Sequence, residues 1–311
     1  DANGGVIKYK SIENLTVGDY AYTENTSDNT YWNATEKVLY MYDGGNTAAW
    51  IFSANSWCEG ALSGYSPSAD FTVVGSSQND YMNLNVPRIS SDSCNYLLGK
   101  MILSMGDGND SLGAARFKNG DSVDMGSGDD TVGIYVTNSS GTPTYTSLSM
   151  AKLDGGDGTD TLSFGNMSSQ GSVELTLTGG GATNFENIDG TGGADIIRGN
   201  TSANVLRGSG GADTIYGGSG NDSLSGSTSW SSSNDDANSR QQAANDSTND
   251  TNDNLYGEAG DDLLIGTVGD NILDGGTGKD TLYTGDGSDT IVIRPGDGST
   301  TLADADVVKD F

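Results

Sequence analysis

Gly217-Gly-Ser-Gly-Asn-Asp222-Ser-Leu224 and Gly275-Gly-Thr-Gly-Lys-Asp280-Thr-Leu282 are two copies of one pattern, Gly-Gly-x-Gly-x-Asp-x-U, with U aliphatic. Around them the pattern keeps a strict beat. Asp195, Asn204, Asp213 and Asp222 stand nine residues apart, and Asp253, Asp262, Asn271, Asp280 and Asp289 resume the beat further on. Two residues after each comes an aliphatic side chain: Ile197, Leu206, Ile215, Leu224, Leu255, Leu264, Leu273, Leu282 and Ile291. A nine-residue unit with one apolar side chain buries little by itself, so such units stack and share a core. The glycines supply the positive-φ corners of tight turns, and the aliphatic residue points inward from a very short strand.

The pattern extends upstream in looser form. Met105-Gly-Asp-Gly-Asn-Asp110-Ser-Leu112, Met125-Gly-Ser-Gly-Asp-Asp130-Thr-Val132 and Gly155-Gly-Asp-Gly-Thr-Asp160-Thr-Leu162 are nearly complete copies, spaced 20 and 30 residues apart. A weaker copy ends at Asp80. The intervals carry extra strands such as 133–136 and 172–177. Residues 1–70 are rich in aromatics between polar turns, and the strand candidates there lie at 6–9, 37–42 and 49–52. Residues 227–252 are Ser, Asn, Asp, Gln and Thr with almost nothing apolar to bury, so they are expected to protrude as a flexible insertion. The expected organisation is an aromatic-rich β cap at 1–70, an irregular β-solenoid at 71–189, a regular roll at 190–293 interrupted by 227–252, and a C-terminal cap at 294–311. No segment of convincing length has helical periodicity, and the chain reads as all-β.

Composition narrows the partners. With 43 acidic against 14 basic residues the formal net charge is −29, which disfavours phosphate backbones and anionic membrane surfaces and favours multivalent cations. No 18-residue apolar run is present, so membrane insertion is not expected. No cleavable signal peptide is recognised at Asp1, so the chain is expected to be mature or to leave the cell by a route that needs none. Cys58 and Cys94 either pair in an oxidising compartment or remain as buried thiols.

The motif residues resemble the repeats-in-toxin (RTX) family of bacterial secreted proteins. That resemblance implies a right-handed parallel β-roll in which two nonapeptides make one 18-residue coil and Ca²⁺ lies between turns. Carried over by position, the implied metal ligands are Asp110, Asp130, Asp160, Asp195, Asp213, Asp222, Asp253, Asp262, Asp280 and Asp289, together with Asp107 and Asp157 of the upstream turns. Hard carboxylate and carbonyl oxygens suit Ca²⁺. Asn204 and Asn271 keep an oxygen but lose the charge, so their rungs are expected to be weak.

The chain has no histidine, which removes Ser-His-Asp triads and His-based zinc sites. Its Glu residues form no constellation for a carboxylate glycosidase, and its many Gly-x-Gly strings lack the following helix that a nucleotide site needs. The outward position beside the inward aliphatic reads Ile196, Val205, Thr214, Ser223, Asn254, Leu263, Ile272, Thr281 and Thr290, too mixed for an ice-binding array. The expectation is therefore a non-enzymatic, secreted protein of the bacterial cell surface. Multiple structural Ca²⁺ ions would stabilise it, and it would assemble with itself into a surface layer or filament. Two alternatives stand beside it: an adhesin or glycan-binding module, and the secretion domain of a larger enzyme.

Overall fold

In the computed structural model the described residues are 71–75, 77–85, 100–115, 120–134, 144–146, 151–164, 172–177, 182–227, 252–297, 301 and 304–310, preceded by the backbone of five strands between 14 and 53. The candidate strand at 6–9, the two cysteines and residues 228–251 lie outside them. The described residues contain no α-helix.

Five strands come first: β1 (Asn14–Val17), β2 (Tyr20–Glu24), β3 (Thr30–Asn33), β4 (Val38–Met41) and β5 (Ala48–Ser53). The looser repeats follow as β6 (Phe71–Val74), β7 (Asp80–Asn85), β8 (Met101–Ser104), β9 (Ser111–Ala115), β10 (Asp121–Asp124), β11 (Thr131–Ile134), β12 (Thr144–Thr146), β13 (Ala151–Asp154), β14 (Thr161–Ser163), β15 (Ser172–Thr176) and β16 (Ala182–Thr183). The regular repeats give β17 (Asn187–Asp189), β18 (Ile196–Arg198), β19 (Val205–Ser209), β20 (Thr214–Ser219), β21 (Ser223–Ser227), β22 (Asn254–Ala259), β23 (Leu263–Ile265), β24 (Ile272–Asp274), β25 (Thr281–Tyr283), β26 (Thr290–Val292) and β27 (Val307–Val308).

These strands fall into two compact units. The first comprises Asp1–Tyr135, Leu148–Leu162 and Gly181–Phe185, and the second Val136–Ser147, Ser163–Gly180 and Glu186–Phe311.

In the second unit, successive strands alternate between two parallel ladders, β17-β19-β21-β23-β25-β27 and β12-β15-β18-β20-β22-β24-β26. Register follows the repeat. Ile197 pairs with Ile215, Leu255 with Leu273 and Leu273 with Ile291 in one ladder, while Leu206 pairs with Leu224, Leu224 with Leu264 and Leu264 with Leu282 in the other. Thr214 pairs with Asn254, so the insertion lengthens one coil without moving its register. Each inward aliphatic from Ile197 to Leu273 is fully buried, and such burial contributes about 1.5–3 kcal/mol per side chain. On the other face, the Tyr216 and Tyr256 rings stack 4.9 Å apart and the Arg198 guanidinium lies 4.0 Å over Tyr216. A separate apolar group, Leu263, Ile265 and Tyr283 with Val205 against it, flanks the inward Leu264 and Leu282.

The first unit applies the same rule with longer coils. Its parallel pairs β4-β6-β8-β10-β13-β16 and β5-β7-β9-β11 carry the cores Val73, Leu103, Val123, Leu153 and Met82, Leu112, Val132. Phe71 pairs with Met101 and Ser122 with Ile102, matching the 30- and 20-residue motif spacings. The strands β1, β2 and β3 join in antiparallel pairs, β1 with β2, β2 with β5 and β3 with β4. The candidates at 37–42 and 49–52 are β4 and β5.

Candidate metal centre

The sixth residue of each motif closes its turn just before the next strand, and Asp110, Asp130, Asp160, Asp195, Asp213, Asp222, Asp253, Asp262 and Asp280 are all at most 3% exposed, while Asp289 is half-buried. Stacking places these carboxylates one above another in three ladders. In the first unit the Asp80 N–H donates to Asp110 Oδ1 at 2.7 Å, that of Asp110 to Asp130 at 2.7 Å, and that of Asp130 to Asp160 at 2.8 Å. In the second unit one edge runs Asp195, Asp213, Asp253, Asn271, Asp289, and the other runs Asn204, Asp222, Asp262, Asp280, Asp306. Every backbone N–H along both edges donates to the next Oδ1 at 2.8–3.0 Å. Asp107 and Asp157 stand apart, exposed on the turn rim, where Asp107 Oδ1 accepts from Ser127 Oγ at 2.7 Å.

The other carboxylate oxygen explains the first glycine. A Cβ on Gly275 would stand 2.2 Å from Asp280 Oδ2, and one on Gly257 would stand 2.4 Å from Asp262 Oδ2. The Oδ2 atoms of Asp110, Asp130, Asp222, Asp262 and Asp280 are buried without a hydrogen-bond partner. A buried anionic oxygen left so is costly. Burial accordingly holds these carboxyls above their ordinary range, with nearby like charges adding to the effect, from neighbouring rungs for Asp110, Asp262 and Asp280, from Asp129 for Asp130 and from Glu258 for Asp222. Asp110 is pushed up to about 8, Asp262 to about 7, and Asp130, Asp222 and Asp280 to about 6, although the hydrogen bond from the neighbouring N–H opposes the rise.

Asn271 reveals what faces that second oxygen. Its Oδ1 keeps the ladder role, and its Nδ2 takes the Oδ2 place opposite Gly266. There the amide donates to the carbonyls of Thr267 at 3.4 Å, Gly269 at 3.1 Å and Thr284 at 3.4 Å. Backbone carbonyls of two successive turns therefore converge beside the motif side chain. An Asp in place of Asn271 would set an anion against these acceptors and would require a cation. The donor set is one carboxylate with several carbonyls, which are hard oxygens suited to Ca²⁺. Among the described residues no three Asp, Glu, Cys or His side chains come together as a metal site.

Asp195 is an exception that the spacing conceals. Thr191 occupies the second glycine's position and saturates the carboxylate: its N–H donates to Oδ2 at 2.6 Å and its hydroxyl to Oδ1 at 2.9 Å, while the Val173 N–H also reaches Oδ1 at 2.6 Å. Burial still raises Asp195 to about 6. Asp80 and Asp306 are ladder members without a full motif. Asp306 lies 26 residues beyond Asp280 and off the nine-residue beat. Asp310 closes the same end, with its carboxylate accepting from Thr284 N–H, Thr284 Oγ1 and Gly285 N–H.

A parallel β-roll with stacked, cation-demanding aspartates defines a calcium-binding repeat protein. The RTX calcium-binding nonapeptide-repeat family matches in four copies, at residues 189–224, 247–282, 256–291 and 265–298, and these repeats are RTX repeats. RTX repeats bind multiple Ca²⁺ ions structurally. No curated protein matches the chain. A bound Ca²⁺ would supply the positive charge these buried carboxylates lack, and the motif carboxylates with nearby turn carbonyls would hold it. Among the described residues no helix is long and apolar enough to cross a membrane.

Proposed function

We propose that this chain is a secreted, Ca²⁺-stabilised structural protein of a bacterial cell surface that assembles with itself into a surface layer or filament. The buried acidic ladder carries this reading. It ties folding to a metal plentiful outside cells and scarce in the cytosol, with affinity expected in the range of about 10⁻⁴–10⁻³ M typical of extracellular modules. Exposed carboxylates at Asp107, Asp129, Asp157, Asp261, Asp270 and Asp286 line the turn rims outside the ladders. They support Ca²⁺ bridging between copies. The lack of histidine supports a non-catalytic role.

Electron microscopy of the purified chain with millimolar Ca²⁺ and with chelator tests the assembly step. Ordered arrays or filaments that appear with Ca²⁺ and dissolve with chelator are expected. A chain that stays monomeric in Ca²⁺ and is retained on a glycan column would replace this reading with an adhesin.

A further inference from the structure

In the Asp195 edge of the second unit, the rung at Asn271 is closed by protein atoms. Asn271 Oδ1 accepts the Asp253 N–H at 2.9 Å, as a motif aspartate would. Its Nδ2 stands beside Gly266, the position of Oδ2 of Asp280 beside Gly275 and of Oδ2 of Asp262 beside Gly257. From there it reaches two carbonyls of its own turn, Thr267 and Gly269, and one of the following turn, Thr284. The residue is 1% exposed, so water does not substitute for these bonds. Thr267 holds a positive φ of 65°, which aims its carbonyl into the turn.

We propose that Asn271 is a built-in substitute for the cation: its amide joins the two turns, 266–271 and 284–289, that Ca²⁺ joins where the motif residue is Asp. This rests on the calcium reading of the Asp rungs above. An amide brings donors without charge, so the rung satisfies its carbonyls at any Ca²⁺ level and places no anion between Asp253 and Asp289. The segment around β24 and β26 thus forms a metal-independent clasp within a metal-dependent roll. Thr191 does the corresponding work for Asp195 by a different route, donating to the carboxylate where Asn271 donates to the carbonyls.

The test uses the full chain and Ca²⁺ alone as the probe. Equilibrium dialysis counts ions per chain, and hydrogen exchange in excess chelator follows peptides spanning 263–292 against those spanning 214–226. Wild type is expected to retain at least tenfold greater protection over 263–292. Asn271→Asp converts the donor to an oxygen facing three carbonyls; it is expected to bind one additional ion and to lose that extra protection in chelator. Asn271→Ala is expected to lose the protection and gain no ion. An Asn271→Asp chain with the wild-type ion count, or one that does not fold even in excess Ca²⁺, overturns the proposal, as does unchanged protection in Asn271→Ala. A wild-type chain that binds no Ca²⁺ overturns the calcium reading together with the proposal. Calcium binding by wild type with no gain in Asn271→Asp overturns the proposal alone.

Discussion

Replacing Gly278 by Ala tests the close stacking of turns on which the ladders depend. Gly278 has φ of +139°, and a Cβ there would stand 1.9 Å from the carbonyl oxygen of Gly260 one coil away, whereas real Cβ contacts essentially never fall under 3.0 Å. The obstacle is backbone, so no rotamer change relieves it, and the turns must separate by about 1 Å. Separation strains the Gly260 N–H to Thr277 O bond of 2.9 Å and the Thr277 N–H to Glu258 O bond of 2.8 Å. Each bond is worth about 1 kcal/mol, and the backbone conformation itself costs about 1–3 kcal/mol without glycine. The sum is about 3–5 kcal/mol, equivalent to a fall of about 6–20 °C in Tm for a unit of this size. Gly296→Ala is the control: φ is +106° but nothing lies within 4 Å of the added Cβ, so only the conformational part applies. Thermal unfolding followed by circular dichroism in saturating Ca²⁺ compares the two. Equal shifts for both variants, or no shift for Gly278→Ala, would refute the stacking argument.

Leu264→Ala empties a fully buried inward position and is expected to cost about 2–5 kcal/mol, read as a lowered Tm in Ca²⁺; a loss under about 1 kcal/mol would contradict the inward placement. Asp262→Asn keeps the ladder hydrogen bond but removes an anionic oxygen, so the chain is expected to bind one Ca²⁺ fewer, and an unchanged ion count in equilibrium dialysis would count against Asp262 as a ligand. The raised carboxyls also set a pH dependence. A carboxyl whose folded pKa lies above its ordinary 3.8 favours the folded state when protonated, and that contribution is lost as pH rises through about 6 to 8. The metal-free roll is therefore expected to gain β signature on acidification from pH 8 to 5, while Ca²⁺ binding weakens over the same window because protons compete for the same oxygens. Circular dichroism of calcium-stripped protein and Ca²⁺ titrations at both pH values check this; a β signal that falls on acidification goes against the burial argument.

The regular half of the roll was legible because one residue in nine carries the metal chemistry and its second neighbour carries the core. Asp213, Asp222, Asp253, Asp262 and Asp280 stand in the ladders where their spacing puts them, and the looser Asp110, Asp130 and Asp160 form a ladder of their own despite 20- and 30-residue coils. Spacing failed where the chain leaves the beat. Asp306 and Asp310 enter their sites from the irregular C-terminal segment, and no periodicity points to them. It also failed where a neighbouring side chain changes the chemistry of a motif residue. Thr191 saturates Asp195, and its identity gave no distinguishing signal, because other turns also lack a second glycine, with Ser209 before Asp213 and Thr267 before Asn271. Loss of charge at Asn271 pointed to a weak cation rung, but that its amide meets three carbonyls is a geometry that only the stacked turns create.

The acidic ladders are expected to oppose folding until Ca²⁺ neutralises them. Stacked carboxylates about 4.8 Å apart repel by about 1 kcal/mol per neighbour even in water, and more at lower dielectric. Far-ultraviolet circular dichroism of the full chain at neutral pH, in excess chelator and then in millimolar Ca²⁺, tests it most directly. A largely unfolded spectrum that converts cooperatively to a β spectrum as Ca²⁺ is added is the predicted result. The same β spectrum in both conditions would contradict it.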